Sequence, residues 1–396
     1  MTEGRPPRAL VVVSLEPWDD VWRRNQHLVS RLLRDDAALH VLFVEPPRDV
    51  SLALLRRERP RPGRGLRRGP GERLWLYEPT KWLPRRVDPG FDVRRARRVL
   101  RTVVRRFDDR WPTVWVNDLG GVPFLDAVSG GAAPGKVLYD VTDDWLAAAR
   151  PAAELDRLRR WEDDLLARAD VVTVCSPALA EGKGARRRSA RSQGTDPVGV
   201  VLVRNGVDVE AYRRPGPRPS DMPSGPVALY AGTLHPDRLD VELCVATAGA
   251  MRAAPAGATL VLVGPALLAA DDVARLRSAG VVLAGPRPYD QIPAYLTHAD
   301  VLVVPHHVDA FTDSLDPIKL YEYLAAGRPV VSTPVSGFRD ARATLGSSHV
   351  TAVPPDRFPR AVATVLDAAP VPAVLPPEGL PTWDAQAVLM REALGY

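Results

Sequence analysis

Lys319 and Glu322 are the residues whose types and spacing most clearly suggest chemistry. Asp316 as N-cap and Pro317 at the first position predict the start of a helix, and Gly327 predicts its end. Lys319 and Glu322 then share one face near the N-terminus. Free N–H groups and the positive end of the helix dipole bind anions there, so a lysine in the first turn is favourable beside a phosphate. A carboxylate one turn further along can accept hydrogen bonds from a ribose diol, and the pair predicts a nucleoside diphosphate site.

The same pair also has an ordinary explanation. Lysine and glutamate three residues apart occur on the exposed faces of many helices, where they form weak ion pairs. The residues alone leave both interpretations open.

Other candidate motifs fit known chemistry poorly. Residues 130–137 imitate a phosphate-binding loop, but valine replaces the hydroxyl residue that binds magnesium, and the motif precedes a strand. His306 and His307 are adjacent, so their side chains diverge, and no third metal ligand is evident. No G-x-G-x-x-G turn follows the first apolar run. We predict no metal site and no dinucleotide-binding turn.

Short apolar runs alternate with amphipathic stretches along the chain. Strands are predicted at 9–14, 40–45, 74–78, 113–117, 136–141 and 171–176, then at 227–231, 259–264, 281–285, 301–305 and 329–333. Helices are predicted at 23–34, 91–107, 154–168, 240–254, 289–299, 316–326 and 383–394, and loops at 56–73 and 182–197. Continuous Val, Leu and Ile runs are typical of parallel strands buried on both faces. Two series of alternating strands and helices predict two doubly wound α/β domains.

The segment 212–226 separates the two series. It is dense in Pro, Gly and Ser and has no hydrophobic periodicity, which is typical of a linker. We therefore predict an N-terminal domain at 1–215 and a C-terminal domain at 216–382. The last helix, within 383–396, is expected to pack back on the first domain.

The composition favours a soluble globular protein. Hydrophobic residues make up 45% and charged residues 26% of the 396 residues. No apolar run approaches the roughly 20 residues that span a bilayer, and the first run is too short for a signal peptide. Two cysteines cannot build a disulfide framework, which favours a reducing cytoplasm. A cytoplasmic location is expected.

The charge is unevenly distributed. Residues 1–215 carry a net charge of +10 and residues 216–396 a net charge of −5. The basic residues lack the interleaved aromatics of nucleic-acid binders, so no nucleic-acid partner is expected. The basic first half is consistent with an anionic membrane surface or acceptor, although ordinary solvated charge is the simpler explanation.

The segment 312–334 resembles the donor-binding signature of retaining GT-B glycosyltransferases of the group 1, or family 4, type. It matches the variant P-x-K-x-x-E-Y-x-A-x-G, which is associated with bacterial cell-surface polysaccharide or teichuronic-acid synthesis. Residues 139–145 (YDVTDDW) resemble Y-x-x-x-D-D-W of that subgroup, and residues 205–208 (NGVD) its turn before the interdomain linker. The resemblance covers roughly residues 8–345 and implies two Rossmann-like domains facing each other across a cleft. It implies that the domain at 1–215 binds the acceptor and that the domain at 216–382 binds the nucleotide-sugar donor.

The resemblance implies roles for the predicted helix. Glu322 would bind the ribose hydroxyls of the donor. The Lys319 ammonium and the backbone near Asp316, Pro317 and Ile318 would hold the diphosphate.

The first loop of the donor domain departs from the wider family. Gly232 is retained, but Thr233 stands at the position of the family arginine and Arg238 at that of the family lysine. Arg238 can still bind phosphate bidentately. Ser314 replaces a glutamate that contacts the donor sugar, so the identity of the sugar is left open.

On the acceptor side, Asp143 maps approximately onto the family histidine that follows the fifth strand. A carboxylate there can bind sugar or acceptor hydroxyls, although Asp143 or Asp144 can equally cap the next helix. The acceptor is expected near Trp18, Arg23 and Asp144.

The implied reaction is transfer of a sugar, with retention, from a nucleoside-diphosphate sugar to a hydroxyl acceptor that is a glycan, a lipid-linked molecule or a small molecule. Arg238 and Lys319 would replace a metal in stabilising the diphosphate, so no cofactor beyond the donor is expected. Arg23, Arg24 and the 56–73 loop would meet an anionic or lipid-linked acceptor at the inner face of the plasma membrane. A nucleotide-sugar 2-epimerase, a catalytically silent nucleotide-sugar-binding subunit and an anion-binding membrane adaptor remain alternatives.

Overall fold

The computed structural model describes residues 8–55, 57–190, 199–254, 257–368 and 374–396. The first domain contains the strands β1 (Arg8–Val13), β2 (Leu39–Val44), β3 (Arg48–Asp49), β4 (Gly65–Arg68), β5 (Leu74–Glu78), β6 (Thr80–Lys81), β7 (Thr113–Val116), β8 (Lys136–Val141), β9 (Val171–Val174) and β10 (Val200–Leu202). Its helices are α1 (Arg24–Asp35), α2 (Val50–Leu55), α3 (Phe91–Phe107), α4 (Ala152–Arg168) and α5 (Pro177–Ala190), with a 3-10 helix at Leu119–Leu125.

The second domain follows the short helix α6 (Val209–Arg213). Its strands are β11 (Val227–Ala231), β12 (Thr259–Val263), β13 (Val282–Gly285), β14 (Val301–Val304), β15 (Val330–Ser332) and β16 (Val350–Ala352). Its helices are α7 (Val241–Ala253), α8 (Ala270–Ser278), α9 (Ile292–Thr297, after a 3-10 turn at Tyr289–Gln291), α10 (Ala310–Asp313), α11 (Ile318–Ala326), α12 (Ala341–Leu345) and α13 (Phe358–Asp367). The final helix is α14 (Trp383–Leu394).

Each domain is built on a doubly wound sheet. Among the described residues, the first sheet has the order β10-β9-β8-β7-β1-β2-β5-β4, and only β4 pairs antiparallel. The second sheet has the order β13-β12-β11-β14-β15-β16 and is parallel throughout. In both sheets the chain order reverses beside the first strand, and ligands of such folds bind at the carboxyl ends of the strands at that point. The predicted pair of doubly wound domains is confirmed.

The strand predictions agree with the structure to within two residues, but both loop predictions are partly wrong. Within 56–73, β4 pairs with β5 and extends the sheet by one strand. Within 182–197, α5 continues to Ala190 because Lys183 and Arg187 are buried against α4; residues 191–198 lie outside the described residues. The segment 212–226 also has a structural anchor, since Tyr212 is buried in the core of the second domain.

The last helix packs on the first domain. Trp383 is fully buried and stacks on His27 of α1, with the ring centroids 4.4 Å apart. Met390 and Leu394 join the apolar cluster under β1 and β2. The Lys136 ammonium donates to the carbonyl of Ala393 at 2.8 Å. In this way α14 covers one face of the first sheet, beside α1.

Within the described ranges, the helices are too short or too polar to cross a membrane.

Candidate functional site

Three glycines end neighbouring strands at the carboxyl edge of the second sheet. Gly232 follows β11, Gly264 follows β12, and Gly285 ends β13; Gly232 and Gly264 have φ of +144° and +138°, which only glycine adopts readily. A Cβ on Gly264 would overlap the carbonyl oxygen of Gly232, and one on Gly232 would overlap the Lys319 side chain. Because these positions are glycines, the Gly232 carbonyl can approach Gly264 and the Lys319 side chain can approach Gly232, beside the start of α11. Sequence reasoning selected Gly232 but missed Gly264.

We expect Gly264→Ala to destabilise the second domain. The new methyl group would meet backbone atoms that cannot move aside, and a φ of +138° is strained for alanine. Strain of this kind costs roughly 1–3 kcal/mol before the clash is added. Thermal unfolding measures the loss as a lower Tm. The control is Gly249→Ala, in α7 with open space around it, which should raise the Tm slightly. Equal effects of the two variants would contradict the expectation.

Helix α11 begins one residue later than the predicted cap implies, and Asp316 does not cap it. Pro317 occupies the N-cap position with extended backbone, so the Asp316 carboxylate is directed elsewhere. It accepts from the backbone N–H of Asn205 at 2.7 Å and from the Tyr321 hydroxyl, while its own carbonyl accepts from the Asn205 side chain at 2.6 Å. Burial raises the pKa of Asp316 to about 6. The aspartate thus joins the start of α11 to the N-G-V-D turn instead of capping the helix. Gly327 ends the helix in the left-handed conformation, as predicted.

Lys319 lies between Gly232 and the ring of Tyr230. Its ammonium is 5.1 Å from the ring centroid, within the range of a cation–π interaction. Burial lowers the pKa of Lys319, and the neighbouring Arg238 lowers it further, whereas Glu322 opposes the shift. Two cations held near one helix start would be stabilised by a bound anion.

Glu322 is half-buried one turn inward from Lys319. Burial raises the pKa of its carboxyl group, whereas Lys319 and the Tyr212 hydroxyl act in the opposite direction. Tyr212 is one of the buried residues of α6, and its hydroxyl lies beside this carboxylate. The structure therefore places Lys319 and Glu322 in the arrangement that the helical spacing predicts.

We expect the affinity for a nucleotide sugar to peak within a narrow pH range. In the predicted nucleoside diphosphate site, Glu322 would bind the ligand in its ionised form and Lys319 in its protonated form. Since burial raises the first pKa and lowers the second, affinity should fall below neutral pH and again on the alkaline side well before the ordinary lysine pKa of about 10.4. Calorimetric titration with an intact nucleotide sugar, whose phosphates do not titrate in this range, measures both limbs.

Two variants test the assignment of these limbs. Glu322→Gln should remove the acidic limb, and Lys319→Arg should remove the alkaline one. A wild-type affinity that is flat from pH 5 to 10 would contradict both assignments.

Arg238 and Asp143 meet across the two domains. The Arg238 guanidinium donates to the Asp143 carboxylate at 2.7 Å, and the same guanidinium lies 5.5 Å from the ring centroid of Phe311. Arg238 precedes α7, and Asp143 follows β8 at the carboxyl edge of the first sheet. The predicted diphosphate-binding cation and the predicted acceptor-side carboxylate are thus in direct contact.

The other predicted residues lie around this contact. Asp144 accepts from the buried Lys183 ammonium at 2.8 Å and from the backbone N–H of Leu146 at 3.3 Å. Thr233 follows Gly232 directly, and its carbonyl faces the Tyr230 hydroxyl at 3.4 Å. Neither Asp143 nor Asp144 caps α4, which starts at Ala152.

Ser314 lies at a second contact between the domains. Its carbonyl accepts from the Ser176 hydroxyl at 2.8 Å, and its own hydroxyl donates to the carbonyl of Phe311 at 2.7 Å. The side chain is therefore turned toward its own backbone, and a glutamate at this position would need different surroundings.

Glu16 is a residue of the cleft that the motif search missed. It follows β1 at the switch point of the first sheet and forms an ion pair with Arg23 at 3.4 Å. Although solvent still reaches the side chain, enclosure between the domains raises its pKa to about 7; Asp143 adds to the rise, and Arg23 and Arg238 oppose it. A carboxylate in the loop that follows the first strand is the signal that could have identified it.

Of the two arginines predicted to contact an acceptor, Arg23 and Arg24, only Arg23 remains accessible in the structure. Arg24 is buried and binds Asp140 through two hydrogen bonds of 3.0 and 3.1 Å, so it is structural, and its expected contact with an acceptor is wrong. Arg23 donates to Asp19 at 3.0 Å and remains at the cleft edge. Trp18 packs edge-on against Phe43, with the centroids 5.1 Å apart.

The described part of the chain contains no cluster of three or more His, Cys, Asp or Glu side chains that could hold a metal ion. His306 is buried, its Nε2 lies 3.1 Å from the Tyr230 hydroxyl, and burial lowers its pKa well below the usual range. His307 instead lies 3.7 Å from Asp240.

The two facing doubly wound sheets define a GT-B fold, and solved structures agree. A trehalose-phosphate synthase (UDP-forming) from Burkholderia xenovorans, solved with glucose-6-phosphate, has a TM-score of 0.63 at 12% identity over 98% of this chain and 96% of that chain. An E. coli structure, described as trehalose-6-phosphate bound with UDP-2-fluoro glucose, has a TM-score of 0.62 at 12% identity over 98% and 94%. At this identity the likeness establishes the fold.

Residues 225–368 match the family model "Glycosyl transferases group 1". A Bacillus subtilis (strain 168) protein described as a teichuronic acid biosynthesis glycosyltransferase, TuaH, is 28% identical over 210 residues. That alignment covers 50% of this chain and 50% of the relative, so the match spans about half the length of this curated protein. Residues 225–368 are thus similar to group 1 glycosyltransferases, and the whole chain has a GT-B fold.

Proposed function

We propose that the protein is a retaining glycosyltransferase that moves a sugar from a nucleoside-diphosphate sugar to a hydroxyl acceptor. The donor would lie over the glycine row, with its diphosphate at Lys319 and Arg238 and its ribose at Glu322. The match of residues 225–368 to the group 1 family supports this, as does the UDP-2-fluoro glucose bound in the similar E. coli structure. The described teichuronic acid role of the Bacillus relative supports an acceptor in cell-surface polysaccharide or glycoconjugate synthesis.

The contact of Arg238 with Asp143 is the observation that carries the proposal. It brings a donor-side cation to a carboxylate of the first domain, at the carboxyl edges of both sheets. In the reaction, the acceptor oxygen bonds to the anomeric carbon while the bond from that carbon to the diphosphate oxygen breaks. The diphosphate leaves with the electron pair, stabilised by Arg238 and Lys319, and takes the acceptor proton from the same face. No metal is required in this scheme.

One terminal nitrogen of the Arg238 guanidinium is engaged by Asp143, and a diphosphate that binds through the same nitrogen would displace that carboxylate. A bound donor would compete for the guanidinium and release Asp143, whose carboxylate can then accept a hydrogen bond from the acceptor hydroxyl. Glu16 lies close enough to Asp143 and Arg238 to affect both electrostatically, so it would share this task. Donor binding before acceptor binding is the order that this arrangement favours.

A thermal-shift screen with UDP-, GDP-, dTDP- and ADP-sugars tests the proposal. A ligand at a hundredfold its dissociation constant should stabilise the folded state by about 2.7 kcal/mol. Donor that is consumed only when acceptor is added identifies a transferase. Epimerised free donor would identify a 2-epimerase, and binding without turnover would identify a silent subunit. The absence of a shift with any donor would overturn the assignment.

A further inference from the structure

The outer face of α3 is basic and has few carboxylate partners. Its exposed positions recur at helical spacing and include Arg94, Arg97, Arg98, Arg101 and Arg105. Arg94 pairs with Asp88, and Arg98 lies 5.6 Å from the ring centroid of Tyr77. In the part of the chain that the structure describes, Arg97, Arg101 and Arg105 have no carboxylate within 4.0 Å, unlike Arg95, which binds Asp92 and Asp118. Such a face attracts an anionic partner.

Exposed apolar side chains lie beside these arginines. A groove of about 870 Å³ runs between α3 and the segment that follows β6, with Trp82, Leu83 and Arg101 among its lining residues. Trp82 is 63% exposed, and Val87 in the same segment is 66% exposed. Helix α2, which contacts β6, adds Leu55 at 80% exposure. Large apolar side chains gathered on one exposed face are typical of an interaction surface.

This face lies at the edge of the sheet that borders the cleft. Strand β5 runs parallel to β2, and β2 runs parallel to β1, so their carboxyl ends share one edge. The segment with Trp82 leaves from that edge, as does the loop with Glu16. A partner bound to the face would therefore lie next to the opening between the domains.

We propose that this face docks on a membrane that contains anionic phospholipids. The arginines of α3 would bind lipid phosphates, and Trp82, Leu83 and Leu55 would enter the interfacial region, where aromatic and apolar side chains are stable. A soluble polyanion would use the arginines but would leave the exposed apolar side chains in water. The basic surface is thus on α3, whereas the sequence had suggested Arg23, Arg24 and residues 56–73. Since docking needs neither donor nor acceptor, it can be tested independently of the proposed function.

Co-sedimentation with vesicles of phosphatidylcholine, alone or mixed with phosphatidylglycerol, tests the proposal. The protein should partition onto the anionic vesicles. Arg97→Gln combined with Arg101→Gln should lower the partition coefficient about 25-fold, since each arginine contributes about a factor of five near such a surface. Trp82→Ala should also lower the partition coefficient. The loss caused by the arginine changes should disappear at high salt, whereas the loss caused by Trp82→Ala should persist.

Matched variants control for charge and for tryptophan. Arg160→Gln with Arg342→Gln removes two exposed arginines from other helices, and Trp111→Ala removes a 66% exposed tryptophan at the opposite edge of the sheet. These variants should bind like the wild type, and thermal unfolding checks that all of them fold. The proposal would be overturned if the partition coefficient did not depend on anionic lipid, or if the control variants lowered it as much as the test variants. A third outcome would also overturn the proposal and would favour a soluble polyanion. In that case dextran sulfate binding depends on Arg97 and Arg101, and Trp82→Ala does not change binding to vesicles.

Discussion

Replacing Arg238 by glutamine should lower donor turnover by about 10²–10³-fold, the usual cost of removing one group that stabilises a leaving anion. The guanidinium lies at the junction of the two domains, 2.7 Å from Asp143, where the charge of the diphosphate would develop. Glutamine keeps much of the length of the side chain but cannot supply the charge. Steady-state release of nucleoside diphosphate from the donor identified by the thermal-shift screen measures the effect.

The obvious objection is that Arg238→Gln merely loosens the contact between the domains. Arg150→Gln controls for this, because Arg150 makes a comparable ion pair of 2.6 Å with Asp237 across the same boundary. We expect it to change turnover by less than about tenfold, since a partly exposed ion pair contributes little energy. If both variants lose turnover equally, Arg238 acts through domain contact and has no electrostatic role in the reaction.

Glu322→Gln should weaken nucleotide-sugar binding by about 10- to 100-fold, because hydrogen bonds to a charged group contribute roughly 1.5–3 kcal/mol. The carboxylate is half-buried beside Tyr212 and Lys319, so little water can replace the lost interaction. Calorimetry at one pH, near the affinity optimum, measures the change. Glu242→Gln controls for the charge, since Glu242 is exposed on α7 and paired with Arg275.

A deoxy-nucleotide distinguishes a ribose contact from a general electrostatic effect. The wild type should prefer a ribonucleotide sugar to its 2′-deoxy form, and Glu322→Gln should lose most of that preference. A variant that keeps the full preference would show that Glu322 does not contact the ribose.

The sequence predicted the sheets well because their signal is local. Continuous apolar runs such as Val227–Ala231 and Lys136–Val141 form strands with the predicted bounds. Strand β4 was missed because it depends on its partner, since the Arg- and Gly-rich segment is ordered only by pairing with β5. Helix α5 was not predicted, and its second half was assigned to a loop, for a similar reason. Lys183 is buried by its ion pairs with Glu162 and Asp144, which no local pattern reveals.

The candidate site on the second domain was predictable in part. Helical spacing places Lys319 and Glu322 together, and the structure agrees. Asp316 was misassigned as a cap because capping statistics ignore a competing partner, here the backbone of Asn205 some 111 residues earlier in the chain. The contact of Arg238 with Asp143 depends on how the domains face each other and has no local signature.

The return of α14 to the first domain has a consequence for biosynthesis. Trp383 and Met390 complete an apolar layer beneath the first sheet, whose strands β1 and β2 are made more than 300 residues earlier. During synthesis, the N-terminal half must wait with this layer uncovered until the final helix leaves the ribosome, although domains usually fold in the order in which they emerge. The half that is made first is therefore finished last, and a nascent chain stalled before Trp383 should be sensitive to aggregation or to chaperone capture.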